Sequence, residues 1–215
     1  MNNKWEIQRN ANILAFLTDP EYRDRKSILK KLCDALAAEG ITWGLAFSSS
    51  LFLRGIVDDF NDFDILVKID DVGNLQNSLT KLGVRLNKQT PQKGVFTSPY
   101  YQQARKVGVE FDLIGDITIN TFNTTYCYRV SQPDLEWLTL DGGIYVPVVP
   151  MEANIILYGM MEGWQAKRLY KRELCRKFLS SQPQLQHRNV LEQALKDFDL
   201  PAFLEEIVRS LLEKT

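Results

Sequence analysis

The sequence is poor in histidine, in cysteine and in net charge, and each shortage argues against a class of function. His187 is the only histidine among 215 residues, which argues against a Ser-His-Asp triad and against a metal site built from histidines. The three cysteines form no CxxC pair, which argues against a disulfide framework and a zinc site and favours reduced thiols in a cytoplasmic protein. A formal net charge of -1 predicts no strong attraction to nucleic acid or to membranes.

Long apolar runs are also missing. The longest, near 153–161, contains Asn154 and is too short to cross a bilayer. The polar N-terminal stretch lacks the apolar core of a signal peptide. What the sequence does have is an ordinary globular composition, with 45% apolar and 25% charged residues, which suffices for one large core or two small ones.

The hydrophobic pattern divides the chain into two halves. The first half predicts helices at 4–17, 20–39, 50–54 and 72–82, and strands at 41–47, 62–68, 84–86, 95–101, 107–114 and 124–130. From Met151 onward the pattern predicts helices at 151–162, 164–179, 187–198 and 201–213. We therefore expect an α/β domain at 1–148 and a C-terminal helical domain at 149–215.

Two carboxylates stand at the start of a predicted buried strand. Asp62 and Asp64 are one residue apart in DFDILV, so both project from one face, and like charges side by side favour a bound divalent cation. Glu110 and Asp112 share a face of strand 107–114. If the two strands are neighbours, Asp112 completes a set of three acids that can bind two magnesium ions about 3.5–4 Å apart and clamp a phosphoryl group. Glu110 is a further ligand, an alternative base, or only a neighbour.

Three serines, at 48–50, separate the strand before them from a short helix. Small side chains let the backbone approach a triphosphate, and a helix dipole favours an anion, so Ser48 and Ser49 are candidate nucleotide ligands. The alternative is an ordinary helix cap.

Four basic residues are candidate phosphate ligands. Arg54 and Lys68 are near the acids in sequence, and Arg168 and Arg172 form a ridge on the predicted helix 164–179. The alternatives are that Arg54 complements a helix dipole and that the ridge is a solvated helix face.

Together these residues resemble the nucleotidyltransferase superfamily, which has the polymerase-beta-like fold. In that family a Gly-Ser or Gly-Gly turn precedes a DxD strand, and a third acid lies on a later strand. Here NDFDIL (61–66) matches the DxD strand, EFDLIG (110–115) matches the third acid, and Ser48-Ser49 stands at the turn, which lacks glycine. The stretch 145–158 and the basic helix after it are similar to small bacterial members, including antibiotic-modifying ones. The resemblance covers most of 41–178.

The resemblance implies an α+β fold, with a mixed sheet flanked by helices and a C-terminal helical bundle. It also implies transfer of a nucleoside monophosphate from a nucleoside triphosphate such as ATP to a hydroxyl-bearing acceptor, with release of pyrophosphate. Asp62 and Asp64 would hold two Mg²⁺ ions and, through them, the triphosphate. Asp112 would ligate the second ion and help to activate the acceptor hydroxyl.

The sequence is compatible with three functions. The first is a transferase acting on a small molecule, or on a protein or RNA end. The second is a degenerate member that binds a nucleotide or a partner without turnover, as in a toxin–antitoxin pair. The third is a nucleic-acid binder that uses the basic helix, which the near-zero net charge argues against. The acceptor, the preferred triphosphate and the formation of a homo-oligomer are not determined by the sequence.

Overall fold

Helices and strands alternate in the first half of the chain and helices dominate the second. A computed structural model describes residues 4–90, 95–121, 124–140, 143–161 and 166–214, with the side chains of 166–168 left out. The described helices are α1 (Lys4–Thr18), α2 (Arg23–Ala38), α3 (Phe47–Leu53), α4 (Val72–Lys81), α5 (Met151–Met160), α6 (Ala166–Ser181), α7 (Arg188–Asp197) and α8 (Ala202–Glu213). The described strands are β1 (Trp43–Ala46), β2 (Asp62–Val67), β3 (Arg85–Leu86), β4 (Phe96–Thr97), β5 (Tyr100–Lys106), β6 (Val109–Gly115), β7 (Ile117–Asn120), β8 (Thr125–Tyr128), β9 (Glu136–Leu140) and β10 (Ile144–Val148).

A mixed sheet of seven strands forms the centre of the first compact unit. Its order is β3-β5-β6-β2-β1-β10-β9, in which β2 pairs with β6 and β1 with β10 in parallel and the other neighbours are antiparallel. This confirms the expected α+β class with a mixed sheet flanked by helices.

One face of this sheet packs on helices and makes the core. Alternate residues of the central strands, such as Phe63, Ile65, Phe111 and Leu113, are almost fully buried in one cluster with side chains from α1–α4. Because side chains alternate along a strand, the residues between them point to the opposite face. The polar side chains of β2 and β6 therefore all project from the face that these helices do not cover.

The second compact unit joins four helices to a small sheet. The structure divides into the described residues of Met1–Pro91, Pro99–Asp116 and Arg129–Val149, and those of Gln92–Ser98, Ile117–Tyr128 and Pro150–Thr215. The second unit holds the sheet β4-β7-β8 and helices α5–α8. The division into an α/β domain at 1–148 and a C-terminal helical domain at 149–215 stays a prediction.

Several elements differ from the sequence expectation. The helix predicted at 50–54 begins at Phe47, and the strand predicted at 95–101 is two strands, β4 and β5, of which β5 continues to Lys106. Strands β7, β9 and β10 were not predicted. Residues 162, 164 and 165 of the predicted helices lie outside the described residues.

Among the described helices, none combines the length and the apolar character needed to cross a membrane.

Candidate active site

The parallel pairing of β2 with β6 brings the predicted acids together. Its register sets Asp62 beside Glu110 and Asp64 beside Asp112. Since partners in a ladder share a face, all four carboxylates project from the side opposite the helices. The apolar residues between them fix this register, because a shift of one position would bury the acids.

Asp62, Asp64 and Asp112 form a compact group. One carboxylate oxygen from each lies within 4.8 Å of the other two, and all three residues are half-buried. Three carboxylates at this spacing repel one another unless a cation lies among them. Glu110 is exposed beside Asp62 and is not one of the three, so its role as ligand or base stays a prediction.

Strand β5 supplies two neighbours of Asp112 that sequence reasoning had not singled out. Gln103, its cross-strand partner, donates a hydrogen bond from Nε2 to Asp112 Oδ1 at 3.2 Å. Burial raises the pKa of Asp112, hydrogen bonding to Gln103 and Tyr101 opposes that rise, and the charges of Asp62 and Glu110 add to it. Burial, followed by the negative charge of Asp112, raises the pKa of Tyr101.

A two-residue turn in the sequence could have revealed that Gln103 and Tyr101 lie beside Asp112. Val107-Gly108 joins β5 to β6, with Lys106 paired to Val109. Recognising Gly108 as a turn residue would have ended one strand at Lys106 and begun the next at Val109.

The turn between β1 and α3 is built differently from the expectation. Phe47, the first residue of α3, has a φ of 51°, the left-handed conformation that glycine adopts without penalty. The left-handed residue at the start of α3 is therefore Phe47, directly before the Ser48-Ser49 pair. The role of Ser48-Ser49 as a nucleotide-binding turn stays a prediction.

The serines that follow this turn have different environments. Ser49 and Ser50 are fully buried, and their hydroxyls donate to the carbonyls of Ala46 and Phe47 at 3.1 and 3.0 Å. These bonds hold the first turn of α3. Ser48 is half-buried, so of the two predicted nucleotide ligands it is the one that reaches the surface.

Arg54 and Lys68 are engaged in contacts of their own. Arg54 is 4% exposed, pairs with Glu136 at 2.7 Å, and donates to the carbonyl of Val149 at 2.9 Å. Lys68 follows the far end of β2, about 13 Å along the strand from Asp64, and pairs with Asp70 at 3.2 Å. Phosphate binding by either residue stays a prediction.

One arginine of the basic ridge on α6, in the second unit, also forms contacts within the protein. Arg172 is 8% exposed, pairs with Glu173 at 3.0 Å, and its guanidinium lies 4.9 Å from the ring centre of Phe203. A role for Arg172 in binding phosphate stays a prediction. The side chain of Arg168 lies outside the described residues.

No family model and no curated protein matches the sequence. A provisionally assigned nucleotidyltransferase from Thermotoga maritima superimposes with a TM-score of 0.54 at 20% identity, covering 76% of this chain and 96% of that one. The crystal structure of ANT(2'')-Ia in complex with adenylyl-2''-tobramycin superimposes with a TM-score of 0.53 at 13% identity, covering 87% of this chain and 97% of that one. The solution structure of the same antibiotic-resistance factor superimposes with a TM-score of 0.53 at 14% identity, covering 87% of this chain and 88% of that one. The mixed sheet of this chain, with its acids on the face opposite the helices, is thus a nucleotidyltransferase-like fold.

Proposed function

We propose that the protein is a metal-dependent nucleotidyltransferase. It would transfer a nucleoside monophosphate from a nucleoside triphosphate to a hydroxyl-bearing acceptor and release pyrophosphate. The observation that carries the proposal is the convergence of Asp62, Asp64 and Asp112, with one oxygen of each within 4.8 Å of the others. The fold adds support by analogy, since one fold can host many chemistries.

The donor set fits magnesium as the metal. All three ligands are carboxylate oxygens on one sheet face, and Mg²⁺ prefers oxygen ligands while keeping positions for water and phosphate. The three residues would hold up to two ions. Bound magnesium would neutralise the triphosphate and stabilise the charge that develops as the phosphoryl group moves.

Asp112 would receive the proton of the acceptor hydroxyl. Gln103 fixes one of its oxygens, which orients the carboxylate before the acceptor arrives. The acceptor oxygen forms a bond to the α-phosphorus, and the bond from that phosphorus to the oxygen bridging to the β-phosphate breaks. Pyrophosphate leaves with the electron pair of the broken bond, and the hydroxyl proton passes to the Asp112 carboxylate.

Two further features support a nucleotide donor and a small acceptor. Ser48 is half-buried at the start of α3, where its hydroxyl would contact the triphosphate. One structural neighbour was solved with adenylyl-2''-tobramycin, an adenylylated small molecule, which supports ATP as donor. A cytoplasmic location would agree with a reaction that consumes nucleoside triphosphates.

A second candidate is a nucleotide-binding or regulatory module without turnover. The turn that precedes α3 favours it, because the bulky Phe47 occupies the left-handed position and is 5% exposed. A side chain there restricts how closely the backbone approaches a phosphate.

The first experiment replaces Asp62 or Asp64 by asparagine, which removes a charge and keeps the shape of the side chain. Pyrophosphate release from each nucleoside triphosphate with magnesium should fall at least about a hundredfold, since several kcal/mol of charge stabilisation would be lost. Circular dichroism and the melting temperature should show an intact fold. Asp58→Asn is the matched control, because Asp58 is exposed just before β2 and should leave the rate unchanged.

The outcomes separate the two candidates. Full activity in both variants would refute the transferase proposal. A wild-type protein that releases no pyrophosphate, yet is stabilised by about 2.7 kcal/mol at a nucleotide concentration of about a hundred times Kd, would establish the second candidate.

A further inference from the structure

Two arginines lie beside the acids on the same face of the sheet. Arg105 on β5 is the cross-strand partner of Glu110, and Arg85 on β3 is the partner of Arg105. Glu110 is in turn the partner of Asp62. A row across four neighbouring strands therefore carries two negative charges followed by two positive ones. With strands about 4.8 Å apart, the backbone of Arg105 lies about 10 Å from that of Asp62.

Both guanidinium groups are accessible. Arg85 and Arg105 are exposed, and within the described ranges neither side chain forms an ion pair or a hydrogen bond. Arg54, by contrast, is buried against Glu136. Arg85 and Arg105 are thus exposed cations that the sheet register places within three strands of Asp62.

The two arginines also face each other directly across the ladder. Like charges at directly opposed positions destabilise a pair of strands, and a bound anion would remove that repulsion. Segments 83–90 and 100–108 contain four basic residues, the two arginines included, and no acidic one, whereas Glu110 on β6 lies across the ladder from Arg105. A guanidinium binds phosphate and carboxylate through two parallel hydrogen bonds.

We propose that Arg85 and Arg105 form an acceptor subsite for a phosphate or carboxylate group. The acceptor would then be a hydroxyl compound that carries a negative charge, and a polyamine would be repelled. This inference rests on the proposed function, in which Asp112 activates the acceptor hydroxyl. In the sheet order, β5 and β3 follow β6 on the side of Asp112 that is away from β1 and its turn, so the arginines flank the acceptor rather than the triphosphate.

Calorimetric titration tests the subsite without requiring turnover. The full chain, with magnesium and a non-hydrolysable triphosphate, is titrated with glycerol 3-phosphate and ribose 5-phosphate, and with glycerol and ribose as their uncharged counterparts. At least one phosphorylated compound should bind about tenfold more tightly than its counterpart. The double variant Arg85→Gln/Arg105→Gln should lose that difference, because it removes both guanidinium groups that would form charge-assisted hydrogen bonds with the phosphate.

The matched control is Arg23→Gln/Lys31→Gln. It removes two exposed charges from α2 on the helix side of the sheet, and it should bind the phosphorylated compound as the wild type does. The subsite is wrong if no phosphorylated compound is preferred, or if the Arg85/Arg105 variant keeps the preference. It is also wrong if that variant loses affinity for the triphosphate instead, since the arginines would then bind the donor. Because binding is measured directly, a protein that binds the anion but releases no pyrophosphate would refute the proposed reaction and leave the subsite standing.

Discussion

Replacing Arg54 by methionine removes a buried charge while keeping much of the side-chain volume. The guanidinium lies 2.7 Å from Glu136 Oε2 and donates to the carbonyl oxygens of Val149 at 2.9 Å and Ser50 at 3.4 Å. These contacts tie the end of α3 to β9 and to the residue after β10. The variant should therefore unfold more easily while the acidic group itself is untouched.

The size of the effect follows from the burial of the pair. Removing one partner of a buried ion pair costs about 3–5 kcal/mol, because the remaining charge keeps its desolvation penalty. Arg54 is 4% exposed and Glu136 is 16% exposed, so water relieves part of the penalty and the lower end, about 3 kcal/mol, applies. In a chain of this size, about 1 kcal/mol shifts Tm by about 2–4 °C, which gives a fall of about 6–12 °C.

Scanning calorimetry measures the shift, and calorimetric titration with ATP and magnesium measures nucleotide affinity on the same samples. The double variant Arg54→Met/Glu136→Met is the control. It should recover most of the lost stability, since a buried ion pair can often be replaced by apolar groups at little cost. An Arg54→Met protein that keeps its Tm but loses nucleotide affinity would refute this reasoning and support Arg54 as a phosphate ligand.

Two further predictions concern β5 and its turn. Val107 has a φ of 47° and is 70% exposed in a two-residue turn with Gly108, so Val107→Asn, which tolerates that conformation, should add about 1 kcal/mol and raise Tm by about 2–4 °C. Val107→Ile should give no gain, and a fall in Tm for the asparagine variant would contradict the explanation. Gln103→Leu removes the donor to Asp112 and should lower metal affinity or kcat about 10–100-fold; unchanged values of both in pyrophosphate-release assays with a magnesium series would show that Gln103 does not position Asp112.

The acidic group could be predicted from the sequence because period-two patterning fixes both its strands. Phe63, Ile65, Phe111 and Leu113 must be buried, so the acids between them must face the other way. Only the adjacency of β2 and β6 was an assumption. In the structure β2 and β6 are adjacent and parallel, and their register sets Asp64 beside Asp112.

Most of strand β5, from Gln102 onward, escaped prediction because a polar residue interrupts its buried face. Tyr100, Gln102 and Ala104 alternate toward the core, and a glutamine at a core position hides the apolar pattern of a strand. Gln102 is 7% exposed and is satisfied by Gln76 Nε2 at 3.1 Å and by the carbonyl of Asn87 at 2.5 Å. Such a network depends on partners distant in sequence, so no local window reveals it.

Cations were the least predictable part of the site, since their roles depend on distant partners. The sequence allowed Arg54 to neutralise phosphate or to complement a helix dipole, and it did not reveal the ion pair with Glu136, 82 residues away in the chain. Arg105 stands beside Glu110 only because the turn at Val107-Gly108 folds β5 back on β6. Charge and spacing alone do not distinguish a buried structural arginine from an exposed one beside the acids.

The sheet face opposite the helices therefore carries charge in an arrangement that the fold alone does not favour. Asp64 opposes Asp112 across one ladder, and Arg85 opposes Arg105 across another. Directly opposed like charges destabilise strand pairing, and apolar or mixed pairs would serve folding better. Because a cation can relieve the first pair and an anion the second, stability and ligand binding are coupled on this face. Under the two proposals made above, metal-bound phosphate would lie on one side of Asp112 and an anionic acceptor on the other.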